Sequence, residues 1–547
     1  MKIVIIGGVA GGASAATRLR RMNEDNEIIM FERSDYISFA NCGLPYHIGE
    51  TIKDRNNLLV QTVKGMNDRF GIDVRVKTEI VKINPSLKTV LAKNLVTGET
   101  YEESYDKLLL SPGAEAFIPP IPGVNSKNIF SLRNMSDMDK IKGKVDSGIK
   151  RAVVIGAGFI GLEIAENLVE RDVKVTIVEK SNQVLAPVDF EIASQVHDHI
   201  KEFDTELYLE DGAKEFIDIG DKTKVILESG KEIIADLVIM AIGVKPENKL
   251  AMEAGLEIGK TGGIKVDEYL QTSDKDIYAV GDICEHKSLI DGSEIYRPLG
   301  STANKMGRIL GDVLTGKPNN FRGVLGTSIF KVFDMAVAYT GFTENEARRK
   351  GYDVEVIHNL KEDKSIYLSE SRQIVIKAIA DRKTEKLLGV QIVGEAGVDK
   401  RIDVFVTAIT FGAKVSDLFH LDLAYAPPFS TTKDPVMYTG MILDNAMNHN
   451  RPVLTVAELK ANREKYTVID VRSEKDFEKG HIEGALNIPL GKIRTTDLGI
   501  AKDTPIVCHC NKGTTGNAGQ NLFINLGYTE VYNLSGGYKN YAMQKDL

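Results

Sequence analysis

The chain carries the same pattern of apolar and polar positions twice, in two segments about 150 residues apart. In the first segment, the apolar run KIVII is followed by glycines, an alanine-rich stretch and a second apolar run that ends at Glu32. In the second segment, RAVVI leads through the same order to Glu179. A short apolar run next to glycine is typical of a buried strand, and the longer stretch between the runs is typical of a helix. The pattern therefore predicts two strand–helix–strand units of the kind that bind dinucleotides.

A glycine turn between strand and helix gives each unit a predicted phosphate site, because glycine lets a phosphate approach the N–H groups at the helix start. These glycines are Gly7 and Gly12 in the first unit and Gly156, Gly158 and Gly161 in the second. The second unit matches G-x-G-x-x-G in full, whereas Val9 holds the middle position of the first. Glu32 and Glu179 end the second strands, where a carboxylate can accept hydrogen bonds from ribose hydroxyls.

The later segments predict a return to the first domain and then two more domains. The strand DIYAVGDIC, after the second unit, is predicted to rejoin the first sheet, so that the second unit is an insertion. Alternating strand-like runs and a helical segment then predict an α+β domain, and the polar linker NHNRP precedes a last α/β unit. The predicted ranges are 1–115 with 250–325, 116–249, 326–447 and 453–547. The fold class is α/β, with two Rossmann-like domains, an α+β domain and a C-terminal α/β domain.

Composition narrows the classes of function. The chain has 69 basic and 77 acidic residues and a net charge of −8, which argues against nucleic acid or an anionic membrane as the main partner. No apolar run is long enough for a spanning helix, and the N-terminus is predicted to be a buried strand rather than a signal peptide. Four cysteines in 547 residues do not form a disulfide framework, so a reducing cytoplasm is expected. No metal site is predicted.

The tandem units, together with LLLSPGA, VIMAIGVKP and DIYAVGD, resemble the pyridine nucleotide–disulfide oxidoreductases over residues 1 to about 447. The resemblance implies that the first unit binds FAD, that the inserted unit binds NAD(P)H and that the third domain forms a homodimer. The implied FAD positions are Gly7, Gly12, Glu32, Arg33, Ser111, Gly113, Arg133, Asp282 and Ala303. The implied NAD(P)H positions are Gly156, Gly158, Ile160, Gly161, Glu179 and Gly243, and Glu163 would lie near the nicotinamide. Glu179 would repel a 2′-phosphate and favours NADH, although the adjacent Lys180 could offset its charge.

Cys42, in SFANCGLPYHIG, occupies the family's redox position and precedes a predicted helix start. The helix dipole and turn amides there are expected to lower the pKa of its thiol. Relatives with a protein disulfide carry a second cysteine five positions later, where this chain has His47. The oxidised state must then be a sulfenate, or a disulfide or persulfide with a small thiol. Peroxide-using relatives carry a histidine in the first glycine loop where this chain has Ala10, which disfavours peroxide chemistry.

The SFANC segment resembles that of the coenzyme A–disulfide reductases. The implied contacts to coenzyme A (CoA) are Ser14, Arg18, Arg21, Ser38, Asn41 and Lys433. Arg18 and Arg21 are three residues apart on one helix face and suit phosphates. A family lysine expected after Arg69 is Phe70 here, so Arg69 is its possible substitute. Tyr367 and Tyr425 match tyrosines that in this family reach the partner subunit's cysteine, where a phenol can protonate a leaving thiolate.

The C-terminal segment, with VIDVR, GHIEGALNIP and CHCNKGTTG, resembles a rhodanese, a sulfur-transfer domain. In that fold a cysteine opens a loop whose N–H groups cradle a thiolate or persulfide, and Cys510 fits this role. The sixth loop position, often arginine, is Thr515, so thiosulfate is expected to be a poor donor. Cys508 is expected to be a strand core residue, with a resolving thiol as the alternative.

Taken together, these features predict a flavoenzyme in which Cys42 reduces CoA persulfide, polysulfide or CoA disulfide and Cys510 relays sulfane sulfur. Plain CoA disulfide is the narrower substrate. The rivals are an NADH oxidase or peroxidase that uses a Cys42 sulfenate, and a redox-sensing sulfur carrier. The physiological thiol, the nicotinamide preference and direct exchange between Cys42 and Cys510 are left open by the sequence.

Overall fold

The computed structural model describes residues 1–495 and 499–544. The chain forms two compact units, one from Met1–Asn182 with Asp204–Gly326 and the other from Gln183–Phe203 with Thr327–Leu547. Within the described ranges, no helix combines the length and apolar character needed to span a membrane.

The first sheet of the first unit is parallel, and its order shows that the second dinucleotide unit is an insertion. From edge to edge its strands are Ile277–Ala279, Lys107–Leu110, Lys2–Ile6, Glu27–Phe31 and Asp73–Arg75. Ile277–Ala279, which follows the inserted unit in sequence, pairs in parallel with Lys107–Leu110. The predicted return of the chain is therefore confirmed.

The second sheet of the first unit is also parallel, as expected for a strand–helix–strand unit. From edge to edge its strands are Glu206–Tyr208, Lys174–Val178, Arg151–Ile155, Leu237–Met240 and Ile129–Phe130. The central strand is buried from Ala152 to Ile155, because helices and neighbouring strands cover a parallel sheet on both faces.

Smaller antiparallel sheets and helices complete the first unit. These sheets are Thr78–Asn84 with Thr89–Asn94 and Thr100–Ser104, Ala213–Ile219 with Lys222–Leu227 and Glu232–Ala235, Ala114–Ala116 with Val244–Pro246, and His286–Lys287 with Glu294–Ile295. The α-helices are Ala10–Met22, Leu44–Ile48, Val63–Phe70, Met135–Asp146, Phe159–Val169, Lys249–Glu253 and Gly300–Leu314, and the 3-10 helices are Asn41–Gly43 and Arg55–Leu58.

Two glycines let the last of these helices lie against the first. A Cβ atom at Gly307 would lie 2.3 Å from the carbonyl oxygen of Gly11, and one at Gly311 would lie 2.5 Å from Cγ of Arg18. Both distances are too short for a side chain. The close approach brings the start of Gly300–Leu314 next to the first glycine turn.

The second unit is built on an antiparallel sheet. Its strands, in spatial order, are Ser328–Val332, Met335–Gly341, Leu387–Gly394, Gln373–Asp381 and Val354–Glu362. Its α-helices are Phe190–Lys201, Glu344–Arg349, Val398–Thr410 and Pro435–Asn448, with a 3-10 helix at Val415–His420. The predicted α+β class is confirmed.

A buried ionic cluster holds helix Phe190–Lys201 against this sheet. The ammonium of Lys377, of which 1% is exposed, lies 3.0 Å from Asp189, 2.5 Å from Glu191 and 2.8 Å from Glu344. A buried charge is stable only when it is paired, so the three carboxylates fix both elements around Lys377. Periodicity gives no sign of this contact, because its members lie far apart in sequence.

A five-stranded parallel sheet forms the end of the second unit. In spatial order its strands are Val453–Leu454, Val531–Leu534, Ile506–His509, Thr467–Asp470 and Leu486–Asn487. Its α-helices are Val456–Ala461, Glu474–Glu478, Thr514–Asn525 and Gly537–Met543, and its 3-10 helices are Arg463–Lys465 and Leu490–Lys492. The predicted C-terminal α/β domain is confirmed. The exact domain boundaries stay a prediction.

Candidate functional sites

The first glycine turn has the geometry of a phosphate site. Gly7 has φ +96°, and a Cβ there would lie 2.2 Å from the carbonyl oxygen of Ser111. A Cβ at Gly12 would lie 2.0 Å from the Gly7 carbonyl oxygen. The N–H of Gly8 donates to the Glu32 carboxylate over 3.0 Å. Strand, helix and acid thus meet at a tight backbone turn that only glycine permits, as a dinucleotide site requires.

Asp282 supplies an independent test of the fit to FAD. Its Oδ1 is buried and has no hydrogen-bond partner among the described residues, and burial raises the pKa of its carboxyl. A hydroxyl of a flavin side chain would satisfy that oxygen. Arg133 lies 4.0 Å from Asp282 and donates to the Ala114 carbonyl over 2.6 Å. The residues present fit the cofactor.

The remaining predicted FAD positions lie around the same turn, with one exception. A Cβ at Gly113 would lie 2.8 Å from Arg133, and one at Gly281 would lie 3.2 Å from Cβ of Ala303. The guanidinium of Arg33 instead forms a two-pronged ion pair with Glu247, at 2.5 and 2.8 Å. A role of Arg33 toward FAD therefore stays a prediction.

The second glycine turn repeats this geometry. Gly156 has φ +97°, and a Cβ at Gly161 would lie 2.1 Å from its carbonyl oxygen. Glu179 accepts from the N–H of Ala157 over 2.9 Å and from that of Ser181 over 2.8 Å. The other predicted positions leave space for a ligand: nothing lies within 4 Å of a Cβ at Gly158 or Gly243, and Ile160 is 38% exposed.

Cys42 lies in the 3-10 turn Asn41–Gly43, directly before helix Leu44–Ile48, and is exposed. The expected lowering of its thiol pKa is wrong. Loss of water around the sulfur raises the pKa, the carboxylates of Glu163 and Asp282 raise it further, and Arg133 opposes them. The helix has only five residues and carries little dipole, so the loss of water, together with the two carboxylates, outweighs it.

His47 occupies the position of the absent second cysteine and is built into the fold. It is 4% exposed, and its Nδ1 lies 2.6 Å from the carbonyl oxygen of Ile52. A carbonyl only accepts, so Nδ1 carries the hydrogen and donates. The imidazole therefore closes the turn after the helix.

Glu163, whose carboxylate acts on Cys42, has a pKa raised to about 7 by burial and by Glu166. Above pH 7 it is an anion that opposes the Cys42 thiolate, and below pH 7 it is largely neutral. Replacing it by Gln is expected to lower the pKa of Cys42. The thiol-reduced holoenzyme should then react with iodoacetamide about threefold faster at pH 8 and equally fast at pH 6, read by mass spectrometry of the Cys42 peptide.

The matched control is Glu170→Gln, which removes an exposed carboxylate directly after Phe159–Val169, the helix that carries Glu163. It should leave both rates unchanged. Equal acceleration of the Glu163→Gln variant at both pH values would contradict the assigned titration of Glu163.

The predicted CoA residues of the first unit differ in how they are engaged. Ser14 donates to Asn304 over 2.6 Å, and Arg18 forms an ion pair with Asp312 at 2.5 Å. Ser38 has φ +44°, a conformation that non-glycine residues rarely adopt. Asn41 has a buried Oδ1 without a partner among the described residues.

Arg21 is the exposed member of the predicted CoA set in this unit. Its guanidinium lies 5.3 Å from the centre of the Phe70 ring, and that of Arg69 lies 5.7 Å from the same centre. Arg69 and Arg21 thus lie near the same ring, and the role of Arg69 as substitute for the family lysine stays a prediction.

The predicted catalytic tyrosines and the last CoA contact lie on the second unit. Tyr367 is 73% exposed, Tyr425 is 47% exposed, and Lys433 is exposed. Large exposed aromatic side chains suit an interface with another chain. The roles of all three residues stay predictions.

Cys510 opens a loop between strand Ile506–His509 and helix Thr514–Asn525. Its sulfur accepts the N–H of Gly513 over 3.2 Å, and 6% of the residue is exposed. Gly513 has φ +99°, which turns its N–H toward the sulfur and permits the tight loop. Behind the loop, the N–H of Tyr538 donates to the Cys510 carbonyl over 2.8 Å.

Cys508 belongs to the core, as expected. It is fully buried, and burial raises the pKa of its thiol.

The VIDVR motif contributes an ion pair, in which Asp470 and Arg472 lie 2.6 Å apart. The Arg472 guanidinium also donates to the carbonyl oxygen of Gly480. The motif is therefore structural.

Sequence reasoning missed one residue beside the Cys510 loop. The ammonium of Lys361, at the end of strand Val354–Glu362, donates to the Thr514 hydroxyl over 2.9 Å. The two residues are 153 positions apart, so no local motif connects them.

Known proteins resemble this chain over most of its length. The family description "Pyridine nucleotide-disulphide oxidoreductase" matches residues 1–304, its dimerisation domain matches residues 327–435, and the rhodanese-like domain matches residues 455–544. A Pyrococcus furiosus protein named "NAD(P)H sulfur oxidoreductase (CoA-dependent)" is 36% identical over 444 residues, which are 81% of this chain and 99% of that protein.

Two solved structures match nearly the whole chain. Reduced Bacillus anthracis CoADR-RHD superposes with a TM-score of 0.96 and 45% identity, over 99% of this chain and 98% of that one. A NAD-dependent persulfide reductase from A. fulgidus superposes with a TM-score of 0.92 and 36% identity, over 99% and 100%. The chain therefore belongs to the pyridine nucleotide–disulphide oxidoreductases, a family of FAD flavoproteins that use NAD(P)H.

Proposed function

We propose that this protein is an NAD(P)H-dependent flavoenzyme that reduces CoA persulfide, polysulfide and CoA disulfide through Cys42, while Cys510 relays sulfane sulfur. The observation that supports this proposal most directly is the exposure of the cysteines: Cys42 is exposed, whereas Cys284, Cys508 and Cys510 are buried. With His47 at the second position, Cys42 has no internal partner and must pair with an external sulfur. The names of the P. furiosus and A. fulgidus relatives support this choice of substrate.

The chemistry at Cys42 is thiol–disulfide exchange. The Cys42 thiolate attacks one sulfur of CoA disulfide, the substrate's S–S bond breaks, and one CoA thiolate leaves as Cys42 and the other CoA become joined. FAD, when bound, supplies the relay for two electrons from NAD(P)H that reduce this mixed disulfide. Tyr367 and Tyr425 of a partner subunit would protonate the departing thiolate. Glu163 lowers the thiolate fraction of Cys42 as it ionises.

NADH is the proposed electron donor. The Glu179 carboxylate is held at the strand end by two backbone N–H groups, where it would repel a 2′-phosphate. The neighbouring Lys180 could have offset that charge, but its ammonium lies 2.9 Å from Glu228. Lys180 is therefore engaged away from Glu179.

The assembly is proposed to be a homodimer in the cytoplasm. The matched dimerisation domain and the exposed Tyr367 and Tyr425 support the dimer. Four cysteines that form no disulfide support a reducing compartment.

The proposed substrate class is tested by anaerobic NADH consumption with CoA persulfide, CoA disulfide, thiosulfate and peroxide, measured side by side. CoA persulfide and CoA disulfide should be consumed fastest. Arg21→Ala should raise KM for both CoA substrates about fivefold, because an exposed guanidinium is available to the CoA phosphates. Lys433→Ala should act in the same direction.

A small persulfide without phosphates is the control substrate, and its KM should not change. Arg322→Ala, which removes another exposed arginine of the first unit, is the control variant and should leave all constants unchanged. Faster turnover of peroxide than of any sulfur substrate would contradict the proposed function.

A further inference from the structure

The Cys510 loop lacks the cation that its fold often places at the sixth position. That position is Thr515, which is exposed. The loop's own cation, Lys512, forms a close ion pair with Glu362. Its charge is therefore largely cancelled, and an anion at Cys510 would gain little from it.

Lys361 reaches the loop from the dimerisation sheet. Its ammonium donates to the Thr514 hydroxyl over 2.9 Å, at the first residue of helix Thr514–Asn525. It also lies 3.7 Å from the centre of the Tyr438 ring. Among the described residues, Lys361 forms no ion pair with a carboxylate. The ring and the hydroxyl thus hold a cation beside the Cys510 loop without neutralising it.

The electrostatics agree with this placement. Burial lowers the pKa of Lys361, Glu362 opposes this change, and the neighbouring Lys512 and Lys433 lower it further. A thiolate at Cys510 acts in the opposite direction and raises the pKa of Lys361. An anion at Cys510 would therefore favour the charged form of Lys361.

We infer that Lys361 is a specificity-determining residue for the rhodanese loop: it supplies, from another domain, the positive charge that draws anionic sulfane-sulfur donors to Cys510. The inference rests on the proposed sulfur-carrier role of Cys510. The donor class is a small anion with a terminal sulfane sulfur, such as a polysulfide or an ionised persulfide.

The step that Lys361 favours is the loading of Cys510. The Cys510 thiolate attacks the terminal sulfur of a donor R–S–S⁻, a new S–S bond forms on Cys510, and the donor's S–S bond breaks. The products are a Cys510 persulfide anion and R–S⁻, so two negative charges enter and two remain. Lys361 and the helix N-terminus reduce the repulsion between the two anions as they meet.

Alkylation by two probes of different charge tests the inference. The full-length holoenzyme, in a Cys42→Ser background, is treated with iodoacetate, which is anionic, and with iodoacetamide, which is neutral. The measured quantity is the rate of Cys510 alkylation by iodoacetate divided by the rate with iodoacetamide. Lys361→Met should lower this ratio about fivefold, and Lys361→Arg should restore it. A changed pKa of Cys510 would alter both rates equally, so the ratio reports the charge beside the sulfur.

High salt should reduce the difference in this rate ratio between Lys361→Met and the parent protein, because salt screens the attraction between Lys361 and the anionic probe. The control is Lys414→Met, which removes an exposed lysine of the same domain that pairs with Glu385 at 3.3 Å, and its ratio should not change. An unchanged ratio in Lys361→Met with normal FAD content and melting temperature would overturn the inference. The readout does not require sulfur relay, so it stays decisive even if Cys510 proves dispensable for turnover.

Discussion

Cys42→Ser should lower NADH consumption with CoA disulfide or CoA persulfide by about a thousandfold or more, a loss of about 4 kcal/mol of transition-state stabilisation. The serine hydroxyl is a far weaker nucleophile than a thiolate and forms no disulfide. The other three cysteines are buried, so none of them is expected to replace the exposed Cys42 thiol. The loss should appear in kcat rather than in KM, because the substrate contacts remain.

The measurement is anaerobic steady-state NADH oxidation, with flavin absorbance to confirm that FAD is retained. Cys284→Ala is the matched control, since it removes a fully buried thiol of the same unit. It should keep activity within about threefold and lose some stability through the small cavity. A Cys42→Ser variant that retains more than about a tenth of the rate, a loss below ~1.4 kcal/mol, would show that Cys42 is not the essential nucleophile.

Cys510→Ser should lower the rate of NADH oxidation with one class of sulfur donor and leave the rate with another class nearly unchanged. A CoA persulfide can deliver its sulfur to Cys42 directly, so its reduction should stay within about twofold of wild type. Polysulfide and elemental sulfur must first load the cradle thiol, so their turnover should fall by at least about a hundredfold, or ~2.7 kcal/mol. The serine oxygen can accept the Gly513 N–H but cannot carry sulfane sulfur.

The measurement is NADH oxidation with each donor class, for wild type and Cys510→Ser. Cys508→Ala, at the buried position two residues earlier, is the control and should not distinguish between donors. Equal loss with both classes would place Cys510 on the main reductive path. If NADH oxidation falls with neither donor class, the rhodanese-like domain serves in docking rather than in sulfur transfer.

The parts of the sites that were predictable are those encoded over short stretches of sequence. The glycine spacing predicts each turn whatever surrounds it, and Gly7 and Gly156 take the positive φ that such a turn needs. The same holds for the Cys510 loop, because Gly513 closes it within three residues.

What sequence could not predict depends on charges that meet only in the folded chain. The pKa of Cys42 rises because folding removes water from the thiol and brings Glu163, far along the sequence, close to it. Arg18 suits a phosphate by its helical spacing, yet it pairs with Asp312, 294 residues away. Lys377 and its three carboxylates are likewise distant in sequence, and no periodicity marks them.

The position of strand Val354–Glu362 has a consequence for how this chain avoids aggregation. It is an edge strand of its sheet, and its first seven residues are buried. The N–H of His358 donates to the hydroxyl of Ser535, in the rhodanese-like domain, over 2.6 Å. A bare apolar edge strand invites pairing with a strand of another molecule. The rhodanese-like domain therefore also covers part of this edge strand, and a chain that ends before residue 453 is expected to expose backbone groups of the strand to pairing with another molecule.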